Sequence, residues 1–402
     1  MEARTKPASK LSLRVLDLAG PTYYGLLVIF ATVAGIGLLA AWDMEHNGHW
    51  VTGMDNQIVW GIPHVFAIFL ILGASGALNV ASMSSVFGRS AYKPLAPFSA
   101  LLAIAMLVGG LAVLVLDLGR PDRLLVAMTS YNFKSIFAWN IFLYTGLLVV
   151  AGVYIWTMLE HRMNRFAGAA GLVAFAWRLA LTTGTGLIFG FLIAREAYDS
   201  AVLAPLFIAL SFAIGLAVFI LVLTALDASG VVPLGSDMTR RLGRLLGIFA
   251  ATVLYFTTVQ HLTGLYAAEH AAVERFILRD GGAITAIFWV GQVLVGGLLP
   301  LALMFLGEGA ASRSRVGLAA GFVVIGAMAL LYVAIIGGQA FPLSIFPGME
   351  VSSSFFDGEI ATYSPSLREG LLGLGGISIA ATIVLIGSRV LRFLPKTLAD
   401  RP

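Results

Sequence analysis

Residues 96–123 read APFSALLAIAMLVGGLAVLVLDLGRPDR, an uncharged apolar run that ends at Asp117 and is followed by a Gly-Arg-Pro turn and the pair Asp122 and Arg123. The hydrocarbon core of a bilayer is about 30 Å thick and takes roughly 20 apolar residues in a helix to cross, so this run reads as a transmembrane helix that Asp117 closes. Charges at the edge of hydrocarbon are costly unless paired or wetted. Four of them, Asp117, Arg120, Asp122 and Arg123, beside one turn mark a built site.

The same pattern repeats in both directions. Apolar windows of spanning length fall near 23–42, 58–81, 135–157, 171–194, 201–225, 245–267, 283–306, 316–337 and 370–391. The fifth of the ten, 171–194, has Arg178 near its expected start. Composition agrees, with 59% hydrophobic residues against 11% charged and a mean hydropathy of +0.93, values that exclude an ordinary soluble domain. The fold class is an all-α polytopic membrane protein of about ten transmembrane helices, a single integral membrane domain over residues 1–402. Ten helices leave room for two four-helix bundles, at about 58–194 and 201–337, flanked by helices at 23–42 and 370–391.

Eighteen of the 25 Lys and Arg residues fall in segments on the N-terminal side of the membrane when Arg178 is counted with them; the other seven are Arg120, Arg123, Lys134, Arg195, Arg275, Arg279 and Arg368. The positive-inside bias therefore places both termini in the cytoplasm and the Asp117–Arg123 cluster on the outer face. The same bias accounts for the net charge of +4 without any nucleic-acid partner. The basic first fourteen residues precede an apolar run without a small-residue cleavage site, which reads as a retained first helix.

The chain has no cysteine, so it forms no disulfide and ligates no iron–sulfur cluster through thiolates. Of six histidines, His46, His49, His161 and His270 fall in loops or at helix ends, and only His64 and His261 lie within spans. They sit in opposite halves of the chain, a poor pattern for a haem pair, so no bound haem is expected. The longest outer loops, about 43–57, 118–134, 268–282 and 338–369, suit a docking platform for a partner on that face. The inner loops are short and basic.

Small residues at Gly73 and Gly76, Gly186 and Gly190, and Gly317 and Gly321 read as helix-packing positions. Gly184-Thr185-Gly186 resembles a nucleotide fingerprint only in spelling, since no strand precedes it.

The second span opens Gln57-Ile58-Val59-Trp60-Gly61-Ile62-Pro63-His64, with Trp60 at interfacial level and His64 one turn deeper. That depth suits a quinone head group. A quinol that gives up two electrons also loses two protons, so its site needs a hydrogen-bonding base near the surface and a carboxylate that passes protons to water. His64 fits the first role and Asp117 the second, provided the second and third helices are neighbours. The competing readings are an interhelical hydrogen bond for His64 and a loop-stabilising pair of Asp117 with Arg120. Tyr131 and Trp139 are expected at the same mouth, and Arg195 with Glu196 reads as a surface ion pair.

Trp60 with His64, the run Gly73-Ala74-Ser75-Gly76, and Leu116-Asp117-Leu118-Gly119-Arg120-Pro121 together resemble the NrfD/PsrC family of polysulfide-reductase-type membrane subunits. The stretch from Met54 to Trp139 is most similar to the ten-helix DsrP-type members of sulfur-metabolism complexes. The resemblance is sharp over residues 50–160 and architectural beyond. It implies exchange of electrons between membrane quinone, such as menaquinone, and a ferredoxin-like iron–sulfur subunit on the outer face, with other membrane and cytochrome subunits in the complex. It also implies a quinone pocket near the outer surface, with His64 and Asp117 at the family's positions; Trp60, Gln57, Arg120 and Tyr131 are the further candidates for that pocket. A family asparagine one turn before the histidine falls on Gly61 here, with Gln57 or Asn56 as candidate substitutes.

In the second half, Gln260, His261 and Glu269 form a further polar group with the chemistry of a proton path. Two other function classes remain open: a secondary transporter, which calls for broken midplane helices, and a passive anchor for a redox complex.

Overall fold

The computed structural model describes residues 13–307, 310, 312–343, 358–396 and 398. Among the described residues ten helices are long and apolar enough to cross a membrane: α1 Gly20–Asn47, α2 Ile62–Ser85, α3 Ser90–Leu116, α4 Ile136–Leu159, α5 His161–Gly190, α6 Leu203–Ala228, α7 Ser236–Tyr266, α8 Ala283–Phe305, α9 Arg313–Ala340 and α10 Leu367–Val390. In hydrocarbon every backbone N–H and C=O must be bonded internally, which is why apolar runs of this length settle as helices. Proline opens the regular α-helix of the first three spans, where its missing N–H costs no hydrogen bond. Ser366 and Glu369 cap α10 reciprocally, each side chain bonding the other's backbone N–H.

Helices α2 to α5 pack as one group, α2 against α3 and α5, and α4 against α3 and α5; helices α6 to α9 pack as a second. The groups meet where α6 lies against α2 and α5. At that seam Gly76 on α2 faces the backbone of Ser211 and Gly215 on α6, leaving no space for a side chain on either glycine. Small residues thus let two backbones touch where lipid-like side chains offer no net driving force. Helices α1 and α10 pair with each other through Gly37 and Gly375, and α10 also covers α3. Gly73, Gly186 and Gly190 are close-packed too, whereas Gly321 has nothing within 4 Å of where its side chain would begin and Gly317 meets Thr224 only at ordinary contact distance. The expected packing role therefore does not extend to this last pair.

One boundary differs from the sequence expectation with a physical consequence. The fifth span begins at His161, not near 171, so Arg178 stands in mid-helix and is fully buried. It belongs to no inner loop, which leaves the inner-face excess of Lys and Arg intact with one residue fewer. Its Nη1 donates to Ser75 O at 3.4 Å, and its guanidinium lies 4.7 Å from the Phe175 ring centroid and 5.1 Å from that of Phe212. Ring faces and a carbonyl, rather than a carboxylate, surround this cation.

A short antiparallel pairing of Leu13–Arg14 with Leu394–Pro395 ties the two ends of the described chain together on the inner side. The outer segment between α3 and α4 contains a short helix, Leu124–Thr129. Most of the last outer loop, residues 344–357, lies outside the described residues.

Candidate functional site

Asp117 is the C-cap of α3, its N–H bonded to Val113 O. Two residues later Gly119 takes φ +69°, a left-handed conformation that turns the chain sharply away from the helix axis. The turn leaves the Asp117 side chain pointing inward at 1% exposure, with His64 Nδ1 2.8 Å from Oδ2 and His49 Nε2 3.9 Å from Oδ1. Among the described residues neither carboxyl oxygen receives an aligned hydrogen bond. A buried carboxylate without donors is expensive, and here two imidazoles are the groups placed to relieve it. Helices α2 and α3 are neighbours, as the chemistry requires.

His64 sits in the first turn of α2 and lines a cavity of about 320 Å³, at the lower end of small-ligand pockets, which run from roughly 300 to 1,000 Å³. The walls come from α2 to α5, with Ile335 from α9, and Leu118, Leu124 and Met128 form part of the outer side. Nearly all are apolar. The polar exceptions are His64, Asn140, Tyr144 and Thr145, together with the Trp60 indole. Trp60 stacks on the His64 ring, centroids 5.9 Å apart at 29°, and meets Phe189 edge-on. Asn140 Nδ2 donates to Ile136 O and Gly184 O, while its buried Oδ1 has no partner.

The segment that delivers His64 is clamped from three sides. Gln339, fully buried at the end of α9, accepts from the N–H groups of Val59 and Trp60 through Oε1 and donates to Trp60 O and Ile335 O through Nε2. Arg195 donates to Gln57 O at 2.7 Å and Gln339 O at 3.1 Å. Glu369 accepts from Gly53 N and from the Tyr363 hydroxyl, which in turn accepts from Ile62 N. Burial and the Glu369 carboxylate push the Tyr363 phenol above its ordinary range, keeping it a donor. The end of α9 is π-helical over Val333–Gly337, and Ile335 O there accepts from both Gln339 and Tyr198. Such distortions release carbonyls for side-chain donors and recur near functional sites.

Of the sequence-derived site residues, the structure brings together His64, Asp117 and Trp60. Gln57 points away from the cavity, its amide donating to the carbonyls of Gln339, Ala340 and Glu359. Arg120 pairs with Asp122 at 3.2 Å on the surface, not with Asp117, and this contact holds the Asp122 carboxyl below its usual range. The Leu-Gly turn carries the arginine outward while Asp117 stays in. Tyr131 joins Phe133, Trp139 and Phe142 in an aromatic cluster outside the cavity lining. Arg195 is a backbone clamp and makes no ion pair with Glu196. His261 bonds Glu274, not Glu269, at 2.7 Å, and Gln260 accepts from Ser200 Oγ.

Sequence reasoning missed Asn140, Gln339, His49 and Glu274. It also left the Gly61 departure unexplained. The space a side chain would fill there is taken by Glu369, the Tyr363 hydroxyl and Met54. Asn56 is exposed, so neither proposed substitute reaches the cavity, whereas the amide of Asn140 lines it.

Fold and cavity together define a multi-pass helical membrane protein with a buried His–carboxylate pair beside an apolar ligand-sized chamber. The family described as polysulphide reductase, NrfD, matches residues 50–343, and the chain belongs to it. That match spans α2 to α9 and leaves α1 and α10 as flanking additions. Among individual relatives, the chain is 27% identical to an Hdr-like menaquinol oxidoreductase integral membrane subunit of Archaeoglobus fulgidus, over 93% of this chain and 94% of the relative. It is 29% identical to a putative dimethyl sulfoxide reductase membrane subunit of Halobacterium salinarum, over 95% and 93%. It is 26% identical to the C component of polysulfide reductase from Wolinella succinogenes, over 71% of this chain and 96% of the relative.

Proposed function

We propose that this chain is the quinone-reactive membrane subunit of a respiratory or sulfur-metabolism oxidoreductase complex in a bacterial cytoplasmic membrane. The observation that carries the reading is the His64–Asp117 contact at the edge of an apolar cavity. A quinol that loses two electrons must also lose two protons. His64 lines the chamber and meets a quinol hydroxyl; Asp117, directly behind it and buried without donors, receives the proton that His64 takes. Trp60 fixes the imidazole plane, and Asn140 Oδ1 is a second acceptor for the head group. His49, 27% exposed and near Asp117, leads from the carboxylate toward the outer water.

Electrons pass to, or arrive from, a ferredoxin-like iron–sulfur subunit on the outer face, with further membrane and cytochrome subunits completing the complex. The chain has no cysteine for a cluster, so a thiolate-held iron–sulfur centre would belong to a partner. The names of the relatives support a quinone-linked complex of several subunits: one is a menaquinol oxidoreductase membrane subunit, and the others are components of reductases.

The test is a titration of the purified protein with a fluorescent quinol-site inhibitor. Wild type binds saturably, and a folded His64→Ala variant binds about twofold to tenfold more weakly, as expected for loss of a hydrogen bond worth about 0.5–1.5 kcal/mol. Equal binding by both moves the site away from His64. Binding by neither, with lipid and partner present, leaves a passive anchor.

A further inference from the structure

We propose that the inner face carries a binding site for one anionic phospholipid. A cavity of about 1060 Å³ opens there between the α2–α3 connection, the α4–α5 connection and the C-terminal segment. Lys93, Arg392 and Lys396 line it with His161, and no Asp or Glu is among its described lining residues. None of the three cations takes part in an ion pair among the described residues. The pairing of Leu394–Pro395 with Leu13–Arg14 holds Arg392 and Lys396 on either side of a buried, hydrogen-bonded strand, so their charges are brought to the cavity from a fixed backbone.

The remaining lining has two characters. Ser84, Ser90 and Asn164 supply polar groups of the kind that bind phosphate and glycerol oxygens, whereas Pro97, Tyr154 and Met158 supply apolar surface. A ligand that satisfies both halves has an anionic head and hydrocarbon tails. The inner side is the face the Lys and Arg bias assigns to the cytoplasm, where anionic lipid is concentrated, and basic pockets between transmembrane helices on that side are suited to phosphate head groups. The chamber is about three times the volume of the outer one and lies at the opposite end of α2 and α4, so it is separate from the quinone site.

The experiment is native mass spectrometry of the detergent-purified full chain, delipidated and titrated with phosphatidylglycerol, with phosphatidylcholine, and with inorganic phosphate. Wild type should take up one phosphatidylglycerol with at least a tenfold preference over phosphatidylcholine. The triple variant Lys93→Gln, Arg392→Gln, Lys396→Gln should lose that preference, while Arg240→Gln with Arg244→Gln, on the same face but outside the cavity, keeps it. Gly168→Phe gives a second route that removes no charge: Gly168 lines the cavity with open space beyond its Cα, so the ring projects into the chamber and should weaken the preference. Equal loss in the cavity and control variants means diffuse surface attraction and overturns the proposal. Retention of the full preference by the triple variant overturns it too, as does displacement of the lipid by inorganic phosphate at equal concentration, which means a free-anion site.

Discussion

His64 and Asp117 stand apart from the other ion pairs among the described residues because the carboxylate is buried and carries no aligned donor, while the imidazole beside it opens on a chamber. If Asp117 relays the proton, Asp117→Asn keeps inhibitor affinity within about threefold and lowers kcat by about 10²-fold, the scale of a lost general base. Steady-state kinetics of the assembled complex beside equilibrium binding checks this, and parallel losses in both would make Asp117 a structural residue. Gly61 gives a second prediction at this scale. Gly61→Asn must displace Tyr363 or Glu369 and should destabilise by about 1–3 kcal/mol, read as a fall in Tm in detergent. His64 and Asp117 were legible in the sequence as candidates because each is a costly residue at a membrane boundary, although a loop-stabilising role for Asp117 was an equally good reading. Asn140 was not, because an amide inside an apolar run carries no periodicity and its value lies in an unpaired oxygen that only packing reveals.

At the scale of elements, the site depends on the end of α9 gripping the start of α2. The Gln339 side chain makes three hydrogen bonds to the segment entering α2 and a fourth to Ile335 O of its own helix, so Gln339→Ala should cost about 2–4 kcal/mol and weaken inhibitor binding although it touches no ligand. Restoration of affinity by Gln339→Glu is not expected, since a carboxylate cannot donate to Trp60 O and Ile335 O. Helix number and approximate position were readable from hydropathy alone, because length against bilayer thickness is a single strong constraint. The start of α5 was not. Arg178 reads as a boundary marker in the sequence, but its guanidinium is accommodated by two phenyl faces and a carbonyl drawn from three helices. No buried carboxylate loses a partner when it is removed, so Arg178→Met should leave Tm unchanged or raise it. A fall of many degrees would show that the cation anchors the bundle.

Across the whole molecule, the two helix groups touch backbone to backbone at Gly76 and Gly215, and the apolar chamber beside His64 lies almost wholly in the first group. The spans run as continuous helices, with π-helical stretches at Ile287–Leu298 and Val333–Gly337, unlike the interrupted helices of a midplane transport site. Loop-to-helix clamps such as Glu369 on Gly53, 316 residues apart, had no trace in local sequence. The central claim is that quinone binds in the outer half of the first group. Photolabelling the membrane-embedded complex with an azidoquinone, followed by peptide mapping, tests it most directly. Adducts are expected on α2, α3 and α4 at cavity residues such as Ile68, Leu111 and Ile141, competed by excess quinol and reduced in His64→Ala. Adducts confined to α6–α9, with the first group unlabelled, would contradict it.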